Sequence, residues 1–292
     1  MFKASIILFV IFFITLVLVP FIGIEVKGSK RWLEMGFLPR FQPIEIIKPF
    51  FIITVSTLLC LNKNNLYFKY LLSGFILFPT LLLLISQPDL GQTLLIAMIW
   101  LTLIFVSGIN VYLFFLFFIF VSLIASYLIF FVSKFEYIKF RLLSFIDSSQ
   151  GGGNYHAEKA SDAIISGGFF GKGMGEGTLN SKIPEAHTDY IVSVVSEEFG
   201  VIIVIIIILL YLIFAYKIIQ KINLINNEKI KLILIGSVSL ILLQTFVHIG
   251  VNIRLLPTTG MTLPYLSYGG SSIISTAIIS GIILNLTKRK IN

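Results

Sequence analysis

Long apolar runs separated by short polar breaks set the organisation of this 292-residue chain. A helix needs roughly 20 apolar residues to cross the hydrocarbon core of a bilayer. Eight runs approach that length: 4–24, 44–61, 70–86, 90–107, 111–132, 190–215, 231–250 and 269–287. The third ends at Ser86-Gln87-Pro88-Asp89, where the proline favours a break between two helices over one long span. The first run, Ala4 to Ile24, is long for the core of a signal peptide, has only Lys3 before it and lacks a small-x-small cleavage site, so it reads as a retained span. The pattern predicts an all-α fold: a polytopic transmembrane helical bundle of about eight spans, with residues 1–292 forming one membrane domain.

Composition agrees. The chain is 57% hydrophobic and 12% charged, against roughly 25% charged in soluble domains, and its mean hydropathy is +0.99. The net charge of +8 does not point to nucleic acid, because the Lys and Arg residues flank apolar runs and form no soluble basic face. With a cytoplasmic N-terminus, the inner segments carry Lys3, Lys63, Lys69, Lys217, Lys221, Lys229, Lys231, Lys288, Arg289 and Lys290, opposed only by Glu228. The long segment 133–189 then falls outside as a large extracytoplasmic loop. Its basic residues (Lys134, Lys139, Arg141, Lys159, Lys172, Lys182) are outnumbered by acids (Glu136, Asp147, Glu158, Asp162, Glu176, Glu185, Asp189). This asymmetry predicts both termini in the cytoplasm. The single cysteine, Cys60, excludes an internal disulfide.

Segments 25–43, 133–189 and 251–268 interrupt the apolar pattern with Gly, Pro and charge. Irregular backbone near lipid survives only under protein or around a water-filled cavity. These three are expected to pack on one another as the working surface. No internal repeat is visible, so an inverted-repeat transporter finds little support.

Several strings carry candidate chemistry. Ser166–Thr178 holds six glycines, but no strand precedes it and no GK[ST] follows, so it is either an anion cradle or a tightly folded linker. In Pro184-Glu-Ala-His-Thr-Asp189, Glu185 and Asp189 are four apart, with His187 between them. Asp189 is either a partly desolvated general base at the membrane surface or an N-cap of the next span. Glu197 and Glu198 lie early in that span and either are functional or paired acids or, the reading favoured here, complement its dipole. Glu45 and Lys48, three apart, form either a structural ion pair or a polar cavity lining. Lys30-Arg31-Trp32 either anchors at the interface or grips a diphosphate. Arg254–Ser272 is too polar and too broken to span and reads as a re-entrant segment covering a cavity; His248, just before it, reads as a helix-contact residue. The histidines have no metal-ligand spacing.

Six strings together resemble the SEDS family of peptidoglycan polymerases, which includes FtsW, RodA and SpoVE. They are Gly28-Ser-Lys-Arg-Trp32, Gln42-Pro-Ile-Glu-Ile-Ile-Lys48, Gln87-Pro-Asp-Leu-Gly91, Gly167-Gly-Phe-Phe-Gly-Lys-Gly173, Pro184–Asp189 and Ser267-Tyr-Gly-Gly-Ser-Ser272. Their order and spacing fit from end to end. Pro257–Pro264 and Glu25–Gly28 resemble the FtsW division branch more than RodA. Three departures stand out. The chain starts at the family's third of ten spans, Ile44 replaces a usual serine, and Pro49 follows Lys48.

The resemblance implies a glycosyltransferase that polymerises lipid II into glycan strands for septal wall synthesis during cell division and releases undecaprenyl diphosphate. It places the catalytic carboxylate on Asp189. It implies substrate contacts from Lys30, Arg31, Trp32, Glu45, Lys48, Asp89, Glu185, His187, Arg254, Ser267 and Tyr268, and a divalent ion such as Mg2+ or Mn2+. The expected location is the cytoplasmic (inner) membrane at the septum. The expected partners are lipid II, the nascent glycan, membrane lipid, a class B penicillin-binding transpeptidase and other division proteins, with no nucleic acid. The competing readings are a lipid II flippase, a RodA-like elongation polymerase and a catalytically silent division scaffold.

Overall fold

The computed structural model describes residues 2–26, 28–36, 38–61, 67–146, 155–179 and 183–288. Lys63, Asp147, Lys182, Arg289 and Lys290 of the charge count lie outside the described residues. In chain order the elements are α1 (Phe2–Ile22), β1 (Ile24–Val26), β2 (Ser29–Met35), β3 (Leu38–Phe41), α2 (Pro43–Leu59), α3 (Phe68–Ser86), α4 (Leu90–Val106) and α5 (Val111–Phe131). After a 3-10 turn at Ser133–Phe135 come α6 (Glu136–Ile146), α7 (Tyr155–Gly167), α8 (Ile191–Phe199), α9 (Val201–Ile222), α10 (Glu228–Asn252) and α11 (Gly270–Thr287).

Six of these helices, α1, α3, α5, α9, α10 and α11, are long and apolar enough to cross a membrane. The chain is therefore a multi-pass helical membrane protein. Helix α4 is apolar but shorter, at 17 residues. Helix α2 has the same length and carries Glu45 and Lys48. The expected break between the third and fourth runs falls at Gln87–Asp89, and Asp89 caps α4 by accepting the Gln92 N–H at 3.3 Å.

Two expectations change. Strands β1, β2 and β3 form a three-stranded antiparallel sheet in that order, an element that helical periodicity did not suggest. The run 190–215 is also not one helix, because Gly200 at φ 83° separates α8 from α9. A Cβ at Gly200 would lie 2.1 Å from the Phe169 carbonyl oxygen, so the chain turns where only glycine fits.

The described fold has two compact units: residues 1–109, 215–242 and 269–292, and residues 110–214 and 243–268. In the first, α1 packs on α2 through the rings of Phe9 on Phe51 and Phe12 on Phe50, and Ile53, Ile233 and Ile282 form a buried cluster. Pro43 opens α2, where its missing N–H costs nothing. In the second, Ala160, Ala163, Ile183, Ala186, Tyr190 and Val251 make the core. The small residues of α7 let its backbone approach α8 closely, and a Cβ at Gly167 would meet the Ser196 carbonyl oxygen at 2.0 Å. Helix α5 has no buried residue.

The stretch after α10 folds back along that helix, as a re-entrant segment should. The Met261 carbonyl meets His248 Nδ1 at 2.7 Å, and the Thr262 carbonyl accepts from Gln244 Nε2 at 2.9 Å. The Pro264 carbonyl accepts from the Tyr211 hydroxyl. Gln244 lies eight residues before Asn252, so the segment reaches about 12 Å down α10. Polar side chains on the helices satisfy its non-helical carbonyls, which is the condition for irregular backbone at membrane depth. His248 thus holds this irregular segment, where the sequence suggested a contact between helices.

Candidate active site

The acid-bearing segment is a single tight turn. The Thr188 and Asp189 N–H groups both donate to the Glu185 carbonyl at 3.0 Å. Glu185 sits at φ 60°, a left-handed conformation that disfavours a residue with a Cβ. The three consecutive carbonyls of His187, Thr188 and Asp189 are each held from outside the turn. Tyr268 N–H donates to His187 O at 2.9 Å, Ser267 Oγ donates to Thr188 O at 2.6 Å, and Asn252 Nδ2 donates to Asp189 O at 3.2 Å.

Asn252 is fully buried and ties the turn to its surroundings. Its Oδ1 accepts from Ser193 Oγ at 2.8 Å and Ser193 N–H at 3.2 Å, while its Nδ2 also donates to His248 O at 2.8 Å. The backbone that carries Asp189 is therefore fixed before any substrate arrives. The N-cap position of α8 belongs to Tyr190, which makes no side-chain cap. The half-buried Asp189 is thus not the cap that the sequence left open. Gly260, at φ 69°, runs beside the carboxylate, and a Cβ there would lie 3.5 Å from Asp189 Oδ2.

Glu185 and His187 are exposed on the same turn. Ser267 is buried, donating to Thr188 O and accepting the Leu263 N–H at 2.8 Å, so it braces the turn. Tyr268 contributes its backbone N–H, and its ring faces outward. Arg254 is exposed at φ 58°, with Nη2 3.6 Å from Glu158 Oε1. Just beyond Asp189, Ile191, Val195, Val204, Ile207, Ile249 and Leu263 line an apolar pocket of about 10 Å³, roughly the room one water needs.

The other predicted residues belong to the first unit. Strand alternation sends Arg31 inward with Leu33 and leaves Lys30 exposed and Trp32 half-exposed. The Arg31 guanidinium donates to the Gln87 carbonyl at 3.2 Å and to the Pro88 carbonyl, with Nε 3.9 Å from Asp89 Oδ2. Asp89 also accepts from Gln42 Nε2 at 3.0 Å. Burial pushes the Asp89 carboxyl up from its ordinary pKa, against the opposing pull of Arg31. Lys48, 1% exposed, pairs with Glu45 at 2.7 Å, and Gln92 donates to the other Glu45 oxygen. Arg31, Glu45, Lys48, Asp89 and Ser267 thus turn inward onto protein partners, where the resemblance implied contact with substrate. The cause is electrostatic: charge inside an apolar bundle persists when it is paired.

Glu197 follows the paired reading and not the dipole reading that the sequence favoured. It lies in the last turn of α8, where the dipole disfavours an acid. It is fully buried and accepts the Thr178 and Leu179 N–H groups at 2.9 and 3.0 Å and Lys172 Nζ at 3.2 Å. With Lys172 N–H on Glu197 O, Gly173 N–H on Glu198 O and Gly171 N–H on Gly167 O, the glycine-rich stretch spends these donors on protein, as the tightly folded linker of the two readings would. Glu197→Ala is expected to leave the Thr178 and Leu179 N–H groups without their carboxylate acceptor, at about 0.5–1.5 kcal/mol for each part-buried bond lost. Faster amide exchange across 172–179 would register the loss; unchanged protection would contradict it.

The family model for cell cycle proteins of the FtsW, RodA and SpoVE type matches residues 1–292. The chain belongs to this FtsW/RodA/SpoVE family. The probable peptidoglycan glycosyltransferase FtsW of Coxiella burnetii is 34% identical over 295 residues, covering 96% of this chain and 77% of that protein. The corresponding protein of Caulobacter vibrioides is 31% identical over 277 residues, covering 94% and 70%. Among solved structures, a chain from a peptidoglycan synthase complex that coordinates polymerization and crosslinking superposes with TM-score 0.82 at 25% identity, covering 98% of this chain and 81% of that one. A variant of Thermus thermophilus RodA superposes at 0.71 and 25% identity, covering 100% and 80%.

Within this FtsW/RodA/SpoVE chain, sequence reasoning missed Asn252, Gln244, Gly260, Gln42 and Gln92. A signal existed for two of them: Gln244, His248 and Asn252 recur every four residues, a polar stripe on an otherwise apolar helix. The divalent ion implied by the resemblance has no ready ligand set. Among the described residues, no three His, Cys, Asp or Glu side chains converge.

Proposed function

We propose that this chain is a peptidoglycan glycosyltransferase that polymerises lipid II at the division septum, with Asp189 as its general base. The Asp189 carboxylate takes the proton of the acceptor sugar's 4-hydroxyl as that oxygen attacks the donor's anomeric carbon. The carbon–oxygen bond to the diphosphate breaks as the new glycosidic bond forms, the centre inverts, and undecaprenyl diphosphate departs. The leaving group needs charge neutralisation more than a proton. Exposed Arg254, in the same compact unit as Asp189, is the cation suited to that task.

The observation that carries this reading is the restraint of His187, Thr188 and Asp189 through three consecutive carbonyls. Such restraint holds a base in reactive geometry before substrate binds. The glycosyltransferase names of the relatives support the same reaction class. The test is purified chain in proteoliposomes with labelled lipid II and its transpeptidase partner. Glycan strands and undecaprenyl diphosphate should appear together; translocated but unreacted lipid II would sink the proposal.

Gly260→Ala tests the geometry beside the base. It forces a side chain into a left-handed backbone at a cost of about 1–3 kcal/mol, a strain relieved by shifting the chain beside the base, where the new methyl would otherwise stand in ordinary contact 3.5 Å from Asp189 Oδ2. Polymerisation should fall about tenfold or more with little change in thermal midpoint. An unchanged rate would show that the carboxylate tolerates displacement.

The asymmetry of basic residues supports both termini in the cytoplasm and the 133–189 loop outside. A periplasm-dependent reporter should be active when inserted within that loop and silent at the C-terminus; the reverse would invert the topology. A single-pass transpeptidase partner is supported by the synthase complex among the structural neighbours, and co-purification of the two would test it.

A further inference from the structure

The glycine-rich linker carries three large apolar side chains that the fold leaves in the open: Phe169 (73% exposed), Phe170 (84%) and Met174 (77%). These side chains sit on a braced loop. Gly171 N–H donates to Gly167 O at 2.8 Å, and the Lys172 and Gly173 N–H groups donate to Glu197 O and Glu198 O. A Cβ at Gly171 would meet the Glu198 carbonyl oxygen at 2.2 Å, so the backbone lies directly on the α8–α9 junction. The position of this junction follows from α9. Val201 N–H donates to Gly168 O at 3.0 Å and Ile202 N–H to Phe169 O at 3.4 Å. Val201 is the first residue of a 22-residue apolar helix, about 33 Å long, against a hydrocarbon core of about 30 Å. The loop is therefore hydrogen-bonded to the level at which α9 enters the bilayer.

We infer that Phe169, Phe170 and Met174 insert into the boundary between headgroups and acyl chains on the side where α9 begins, anchoring the linker to the lipid surface. Aromatic side chains at that level are the usual membrane anchors. The exposed Lys172 has its charge met by the buried Glu197 carboxylate at 3.2 Å, so apolar burial drives the contact and anionic lipid is not required. The anchor fixes the far end of α8, whose other end follows Asp189, and so sets the height of the acid-bearing turn over the membrane. The inference rests on packing and exposure alone and does not depend on the proposed reaction.

The test uses full-length chain with Cys60→Ser, reconstituted in phosphatidylcholine nanodiscs, with nitroxide labels on Phe170→Cys and, separately, Met174→Cys. Asp162→Cys on the polar face of α7 serves as the water reference and Ile206→Cys within α9 as the lipid reference. Labels at 170 and 174 should shift the ratio of oxygen to nickel-chelate accessibility away from the Asp162→Cys value and toward the Ile206→Cys value. Both label sites are exposed, so the fold survives the substitutions. Ratios at both positions equal to that of the water reference would overturn the proposal.

Discussion

Asp189→Asn should lower the rate of glycan polymerisation by about 10²–10⁴-fold, the usual contribution of a positioned general base. The substitution keeps size and shape and removes the ability to take a proton. The bonds to His187 O, Thr188 O and Asp189 O all run to the backbone, so the turn survives the change. The loss should therefore appear in turnover, with lipid II affinity and thermal midpoint close to wild type. A variant that binds lipid II normally and polymerises normally would leave Asp189 no catalytic part.

Lys48→Ala should cost about 3–5 kcal/mol of stability, the penalty for stranding a buried charge. Glu45 would keep the Gln92 hydrogen bond but lose the ammonium 2.7 Å away. Pro49 cannot donate to the Glu45 carbonyl within α2, so local backbone bonding offers no compensation. The double variant Glu45→Gln with Lys48→Met should recover much of the loss, because neither buried charge then remains. Thermal unfolding in detergent reads both effects. A single variant as stable as wild type would mean that the pair is solvated in the working protein.

Much of the helical framework was legible because lipid-facing helices need only composition to declare themselves: the runs at 4–24, 70–86, 111–132, 231–250 and 269–287 became α1, α3, α5, α10 and α11. The break at Gln87-Pro88-Asp89 was legible because proline acts locally. Gly200 was hidden, since its reason is a carbonyl 31 positions away at Phe169. The role of Glu197 was hidden for the same cause, with its partners at Lys172, Thr178 and Leu179. Asp189 could be marked as a candidate but not fixed from spacing, because its restraint comes from Asn252, Ser267 and Tyr268 on distant parts of the chain. Periodicity reports which face meets lipid; it carries little about which buried polar groups find one another.

On this mechanism the Asp189 carboxylate itself receives the proton. Single-turnover polymerisation by Asp189→Ala, with and without added formate, measures this directly. Little product without formate, and a rate that climbs with formate concentration as the small anion stands in for the missing carboxylate, is the result this account requires. Full wild-type turnover by the alanine variant in the absence of any added anion would contradict it.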